Sequence, residues 1–487
     1  MVFSSLVFLL VFLPIVVFLY HILTKWFNGR LAILSLFIAS LIYYAYWKVE
    51  NIWIIIASII FNYLFGKLIK NTKNNKGRKI YFMIAILADL GFLFYFKYTD
   101  FFISTVNLTF NSNIPLTKII LPIGISFFTF QQIAYISDIY TKKFPIGKES
   151  FLDYCLFVCF FPQLVAGPIV HHNEMMPQFA DTNNRKRNYQ NIYLALIMLS
   201  IGLAKKVLIS DNLSPIVHHA FDVTKSLSFL EALFGSIAYS MQLYFDFSGY
   251  SDMAVGCALF FNIKLPFNFN SPYKSKSIRE FWRRWHITLS IWLRDYLYIP
   301  LGGNRKGKGR TYLNLFITMT LGGLWHGAAF TFVIWGMLHG LALAINRLWN
   351  EVINKFNILN FTKTKKYNFI SWLFTFLFVN FAFIIFRAKD LICIQKFLDA
   401  FLGRNMFFVS NNFKNAVTLA TKFQTFYLVV ILLLFAFFIA IFAKNSIYMY
   451  ENKDRKCVFV LGILCLLISM FCLIFPDNTQ EFIYFQF

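Results

Sequence analysis

The sequence predicts an all-α integral membrane protein with about 11–13 transmembrane or re-entrant helices, since roughly 20 consecutive apolar residues are what a helix needs to cross hydrocarbon. Three observations carry this expectation. Hydrophobic types make up 58% of the 487 residues and charged types only 14%, whereas a soluble chain carries about a quarter charged residues. The apolar residues come in long runs rich in Phe, Leu and Ile, more than a water-facing domain of ordinary size can bury. The basic residues collect in short clusters between those runs, at 67–79, 185–187, 274–310, 363–366 and 453–456.

In chain order the candidate spans are 2–23, 31–47, 51–69, 80–98, 118–138, 151–170, 190–210, 228–247, 311–326, 328–348, 369–386, 424–443 and 457–475. The first is uncharged from Val2 to Tyr20 and has neither a basic leader nor a small-x-small cleavage site, so a retained membrane helix is expected. An excess of Lys and Arg marks cytoplasmic loops. This places 67–79 and 444–456 inside, and the last helix then delivers the C-terminus to the outer side. Near 118–170 and 250–300 re-entrant or tilted helices are expected, in places where protein or a watery cavity surrounds the backbone. The chain divides on this reading into N-terminal transmembrane helices (1–117), a catalytic core (118–348) and C-terminal helices with an aromatic tail (349–487). The middle part is the richest in Gly, Pro, His, Trp and paired charges.

The net charge of +24 raises the question of a nucleic-acid partner. Clustering of the cations between apolar runs answers it, because topology and anionic membrane lipid account for that pattern. No nucleic acid is expected. The seven cysteines lie mostly inside apolar runs without paired C-x-x-C spacing, and no metal site is expected.

Ionisable residues at membrane depth are costly and are functional candidates for that reason. His286 lies in FWRRWHITL. On a helix, Trp282, Trp285, His286, Leu289 and Leu293 share one face, while Arg283 falls on another. An interfacial amphipathic helix explains the Trp and Arg residues, but it leaves a histidine in the middle of the apolar face unexplained. His326 follows an uncharged segment in LGGLWHGAA, with glycines on both sides that let a backbone or a substrate come close. An imidazole takes a proton from a hydroxyl near neutral pH and returns it later, which suits acyl transfer from a thioester. His339, before Gly340 in an apolar helix, reads as a supporting residue. Trp285, Trp325, Arg283 and Arg284, beside the two main histidines, are candidates for substrate binding or support. In QLYFDFSGYSD, Asp246 could orient an imidazole, the alternative being a helix break sealed by polar side chains. FFPQLVAGPI reads as a structural bend. The basic run through Arg305–Arg310 suits anionic lipid, or the phosphates of a nucleotide-bearing donor. The tail, FIYFQF, is either an aromatic interfacial anchor or a segment that folds back and brings Tyr484 to His326.

Taken together, the stretches FFPQLVAGPI, LYFDFSGYSDMA, PFNFNSPY, REFWRRWHITLSIWLRDYLYIPLGG and GGLWHGA resemble the membrane-bound O-acyltransferase family, in the branch of alginate and peptidoglycan O-acetyltransferase membrane subunits. The resemblance implies a helical core in which a cytoplasmic funnel and an outward cavity meet at a thin waist. It implies that His326 is the family's near-invariant histidine and His286 its second one. It also implies acetyl-CoA or another acetyl thioester as donor, and a soluble periplasmic O-acetyltransferase or esterase-like partner that finishes transfer to a polysaccharide. The expected location is the bacterial inner membrane. Abundant Asn, Lys, Ile and Phe hint at an AT-rich genome; on that ground peptidoglycan is placed before alginate as the polymer. A lipid-linked polysaccharide transporter and a non-catalytic scaffold are the competing classes, and neither needs both histidines.

Overall fold

The computed structural model describes residues 1–27, 29–143, 150–356, 359–421, 425–453, 455–474 and Ile483. Among the described residues the regular structure is helical, without strands. Each candidate span carries a helix. Seven are long and apolar enough to cross a membrane, among them Phe8–Trp26, Asn51–Asn71, Phe330–Lys355, Lys365–Arg387 and Lys456–Ile474; Gly29–Ala45 and Phe426–Phe442 are shorter apolar helices. Only 17% of the most apolar window of Asn75–Phe110 is buried, against 61% in Tyr189–Val223. The first presents apolar side chains outward in the way a bilayer solvates, and the second is a helix of the protein interior.

The chain forms two compact units, Met1–Leu199 with Tyr250–Pro266, and Ser200–Gly249 with Phe267–Phe487. In the first, several buried polar side chains meet partners from other parts of the fold. Asn62 donates to Asp89 at 2.8 Å, Arg30 pairs with Asp153 at 2.6 Å, and His21 Nε2 lies 3.0 Å from the Phe260 carbonyl. The FFPQLVAGPI stretch bends as expected: Phe151–Cys159 ends at Phe160, Phe161–Leu164 adds one short turn, and all of it is buried.

The second unit is built around a hairpin of Gly307–His326 and Phe330–Lys355. In a membrane helices gain little from hydrophobic exclusion, so close backbone approach over small residues does the work of association. A methyl at Gly336 would sit on the Met319 carbonyl oxygen, one at Gly323 on the Phe332 carbonyl oxygen, and one at Gly340 2.8 Å from Phe316 Cα. The connection is extended at Gly327 and Ala329, so the chain reverses in three residues.

Two expectations are corrected here. The first concerns the stretch holding Asp246, where the alternative of a helix break does not hold: Phe229–Leu259 runs straight through it. Its small residues serve packing, with a Cβ at Gly249 only 2.7 Å from the Gly202 carbonyl oxygen. The second concerns the single helix across Trp282–Leu293, which is two: Ile278–Trp282 and Ile287–Leu293. His286 between them has φ 42° and ψ 55°, in the left-handed region. The cause is tertiary. Asn268 accepts from the Ile287 N–H through its carbonyl and from the Thr288 hydroxyl through its side chain, and Asn270 N–H donates to the Arg284 carbonyl. These bonds replace the ones a continuous helix would make.

The glycine crossing predicts opposite signs for two similar substitutions. Gly309, with open space around its would-be Cβ, gains up to about 1 kcal/mol as alanine through helix propensity. Gly336→Ala meets rigid backbone, and overpacking of that kind costs about 1–3 kcal/mol. Thermal unfolding of the two variants in detergent should show Gly309→Ala at or above the parent and Gly336→Ala several degrees below it.

Candidate active site

His326 is the last residue of its helix, and the extended Gly327 turns the chain away immediately after it. Its ring is buried among aromatics, with centroids 5.2 Å from Trp335, 5.2 Å from Phe386 and 5.0 Å from Trp325. His286 is fully buried and its ring centroid lies 6.4 Å from that of His326. Phe247 stands edge-on to His286 at 4.8 Å, and Trp325 lies 6.2 Å from it. Trp282, Trp285, His286, Leu289 and Leu293 are all buried, so the expected apolar face exists although the expected helix does not. A non-glycine residue held in the left-handed region costs about 1–3 kcal/mol, and such strain concentrates at functional sites.

The supporting residues separate into three groups. His339 is one turn along from Trp335, with ring centroids 4.6 Å apart, and its Nδ1 accepts the indole N–H of Trp282 at 3.1 Å. The neutral ring must then carry its proton on Nε2. Trp285 packs on Phe281 and Phe269, at 5.5 and 5.0 Å, and so holds the turn that carries His286. On the basic edge, Arg283 is exposed, while Arg284 is tied to Glu280 at 2.8 Å and to the Asn270 carbonyl. Burial, then the Arg284 charge, hold Lys274 below the ordinary lysine range. Crowded, partly desolvated cations of this kind favour an anion.

Asp246 does not orient an imidazole. Its carboxylate meets Lys206 Nζ at 2.7 Å through Oδ1 and the Ile483 backbone N–H at 2.8 Å through Oδ2. Sequence reasoning passes over Lys206, although a lysine in the middle of the apolar run 190–223 is a signal in itself. It also passes over Phe247, Trp335 and Phe386, which no local pattern distinguishes from ordinary core aromatics. A cavity of about 780 Å³ is lined by Gln242, Thr331, Phe332, Phe386, Arg387 and Ile483, among others. Phe386, in its wall, is also the ring beside His326. Tyr484 lies outside the described residues.

The arrangement suits proton transfer in a buried aromatic pocket, where a neutral imidazole can act as a base. Comparison with known proteins gives the family. The model of the membrane-bound O-acyltransferase family matches residues 4–386. The chain is 42% identical to a peptidoglycan O-acetyltransferase of Helicobacter pylori over an alignment of 525 positions, covering 100% of this chain and 98% of that one. It is 42% identical to a probable alginate O-acetylase of Pseudomonas putida, over 80% of this chain and 78% of the other. A teichoic acid D-alanyltransferase of Bacillus subtilis is 29% identical over 55% of this chain and 69% of its own length. With its helices long enough to cross a bilayer and a family match over most of its length, the chain belongs to the membrane-bound O-acyltransferase family and is a multi-pass membrane acyltransferase.

Proposed function

We propose that the protein takes acetyl from a cytoplasmic thioester, acetyl-CoA or a similar donor, and passes it across the bacterial inner membrane for O-acetylation of peptidoglycan by a periplasmic partner. The observation that carries this reading is the pair of buried histidines, 6.4 Å apart, with Phe386 separating His326 from a cavity that Ile483 helps to line. The positive-inside reading, which takes the C-terminus to the outer side, supports an outward-facing cavity. Similarity over the full chain to a protein named for peptidoglycan supports the polymer.

In this reading His326 is the general base and Tyr484 the acceptor. The imidazole takes the phenol proton, the phenolate oxygen bonds to the acetyl carbonyl carbon, and the carbon–sulfur bond breaks. The departing thiolate collects the proton from His326. The aryl acetate is activated, because phenolate leaves readily, and a serine hydroxyl of the partner then takes the acetyl while the tyrosine oxygen regains a proton. His286 binds or polarises the thioester carbonyl, and Arg283 and Arg284 meet the phosphates of the donor.

Three outcomes are expected. Loss of a positioned general base costs about 100- to 10,000-fold, so His326→Ala abolishes polymer acetylation at unchanged membrane level, as read by chemical analysis of O-acetyl in isolated cell wall. His286→Ala lowers acetyl transfer in membranes more than Arg283→Lys does, and equal losses would remove His286 from the donor site. Tyr484→Phe keeps an aromatic ring and loses the hydroxyl; it abolishes acetylation while donor binding survives, and full activity would return the tail to the role of an interfacial anchor. The polymer is identified independently, by finding which polysaccharide loses its acetyl groups in a deletion strain.

A further inference from the structure

One buried group of charges has no part in the chemistry above. Lys206 is buried in the middle of the Tyr189–Val223 helix, with Nζ 2.7 Å from Asp246 Oδ1 and 2.9 Å from Asp211 Oδ1. Asp246 is fully buried. One cation thus faces two carboxylates. Buried carboxylates need hydrogen-bond donors to face them. Asp246 gives Oδ1 to Lys206, and its other oxygen, Oδ2, accepts the backbone N–H of Ile483 at 2.8 Å. Ile483 is 6% exposed, and it lines the same cavity as Phe386, the ring beside His326.

We propose that Lys206, Asp211 and Asp246 form a receptor for the backbone at Ile483. Asp246 holds the main chain at Ile483 by a charge-assisted hydrogen bond, and Lys206, steadied by Asp211, holds Asp246. The three are positioning residues. Tyr484 is the next residue in the chain, so a clasp on Ile483 bears on its reach. Recognition of a backbone N–H makes the clasp sensitive to proline at position 483. The consequence for acetyl transfer rests on the relay reading of Tyr484; the seating of Ile483 does not.

The test uses the full chain in membranes with its partner present. In an Ile483→Cys protein, a membrane-impermeant maleimide is added from the outer side, and modification of the C-terminal peptide is followed by mass spectrometry, which separates it from the native cysteines. Adding Asp246→Ala is expected to speed this modification about tenfold, the scale of losing one buried charge-assisted hydrogen bond. Unchanged modification in an Asp246→Ala protein at parental membrane level overturns the proposal. Should that variant fail to accumulate, Ile483→Pro, which lacks the N–H, is compared with Ile483→Val, which keeps it. The proline variant is expected to transfer acetyl about tenfold more slowly than the valine variant. Equal transfer, in a protein that Tyr484→Phe inactivates, also overturns the clasp. A silent Tyr484→Phe with modification still responsive to Asp246→Ala removes the relay and leaves the clasp. An inactive Tyr484→Phe with unresponsive modification removes the clasp and leaves the relay.

Discussion

The crossing of Gly307–His326 with Phe330–Lys355 sets the conditions for everything near the site, because backbone there touches backbone. Side chains between two helices give them room to slide; carbonyl oxygens against glycine Cα atoms do not. With Gly323, Gly336 and Gly340 all against the backbone of the other helix, the hairpin has little freedom to shift its register. His326 at the end of one helix and Trp335 and His339 on the other inherit that constraint. In a bilayer, where hydrophobic exclusion cannot force helices together, this is the economical way to hold an imidazole still.

The second histidine is held by different means. His286 sits between two short helices, in a backbone conformation that disfavours residues with a Cβ. The cost is met by Asn268 and Asn270, which supply the hydrogen bonds missing from the interrupted helix, and by the packing of Trp285 on Phe281 and Phe269. Irregular backbone survives at this depth because protein surrounds it: the stretch from Phe260 to Tyr273 is buried at most of its positions. A continuous helix would carry its histidine on a cylinder surface. The break presents it from a turn, next to Phe247, Trp325 and His326.

Several buried acids are held by partners from elsewhere in the fold. Asp89 faces Asn62, Arg30 faces Asp153, and Lys206 faces Asp211 and Asp246. Hydrocarbon offers no solvent to share the cost, so each group must find its donors and acceptors within the fold. For Oδ2 of Asp246, the protein supplies a donor from the far end of its own chain.

The sequence by itself determined the helical membrane class and the positions of the long apolar helices, and it singled out His286 and His326 as candidates. These are local quantities: the length of an apolar run, the glycines around a histidine, a charge where lipid tolerates none. FFPQLVAGPI was legible as a bend for the same reason, since proline and glycine act on the backbone where they stand. The tertiary structure alone decided that Phe229–Leu259 continues through its serines and glycine, that the helix carrying His286 breaks, and that Asp246 serves Lys206 and Ile483 instead of an imidazole. In each case the deciding partner is distant in the chain: Gly202 against Gly249, Asn268 against Thr288, Ile483 against Asp246. A helix ends where another segment offers its backbone better hydrogen bonds, and a carboxylate turns toward whichever donor the fold brings within reach; neither competition is written in the residues next door.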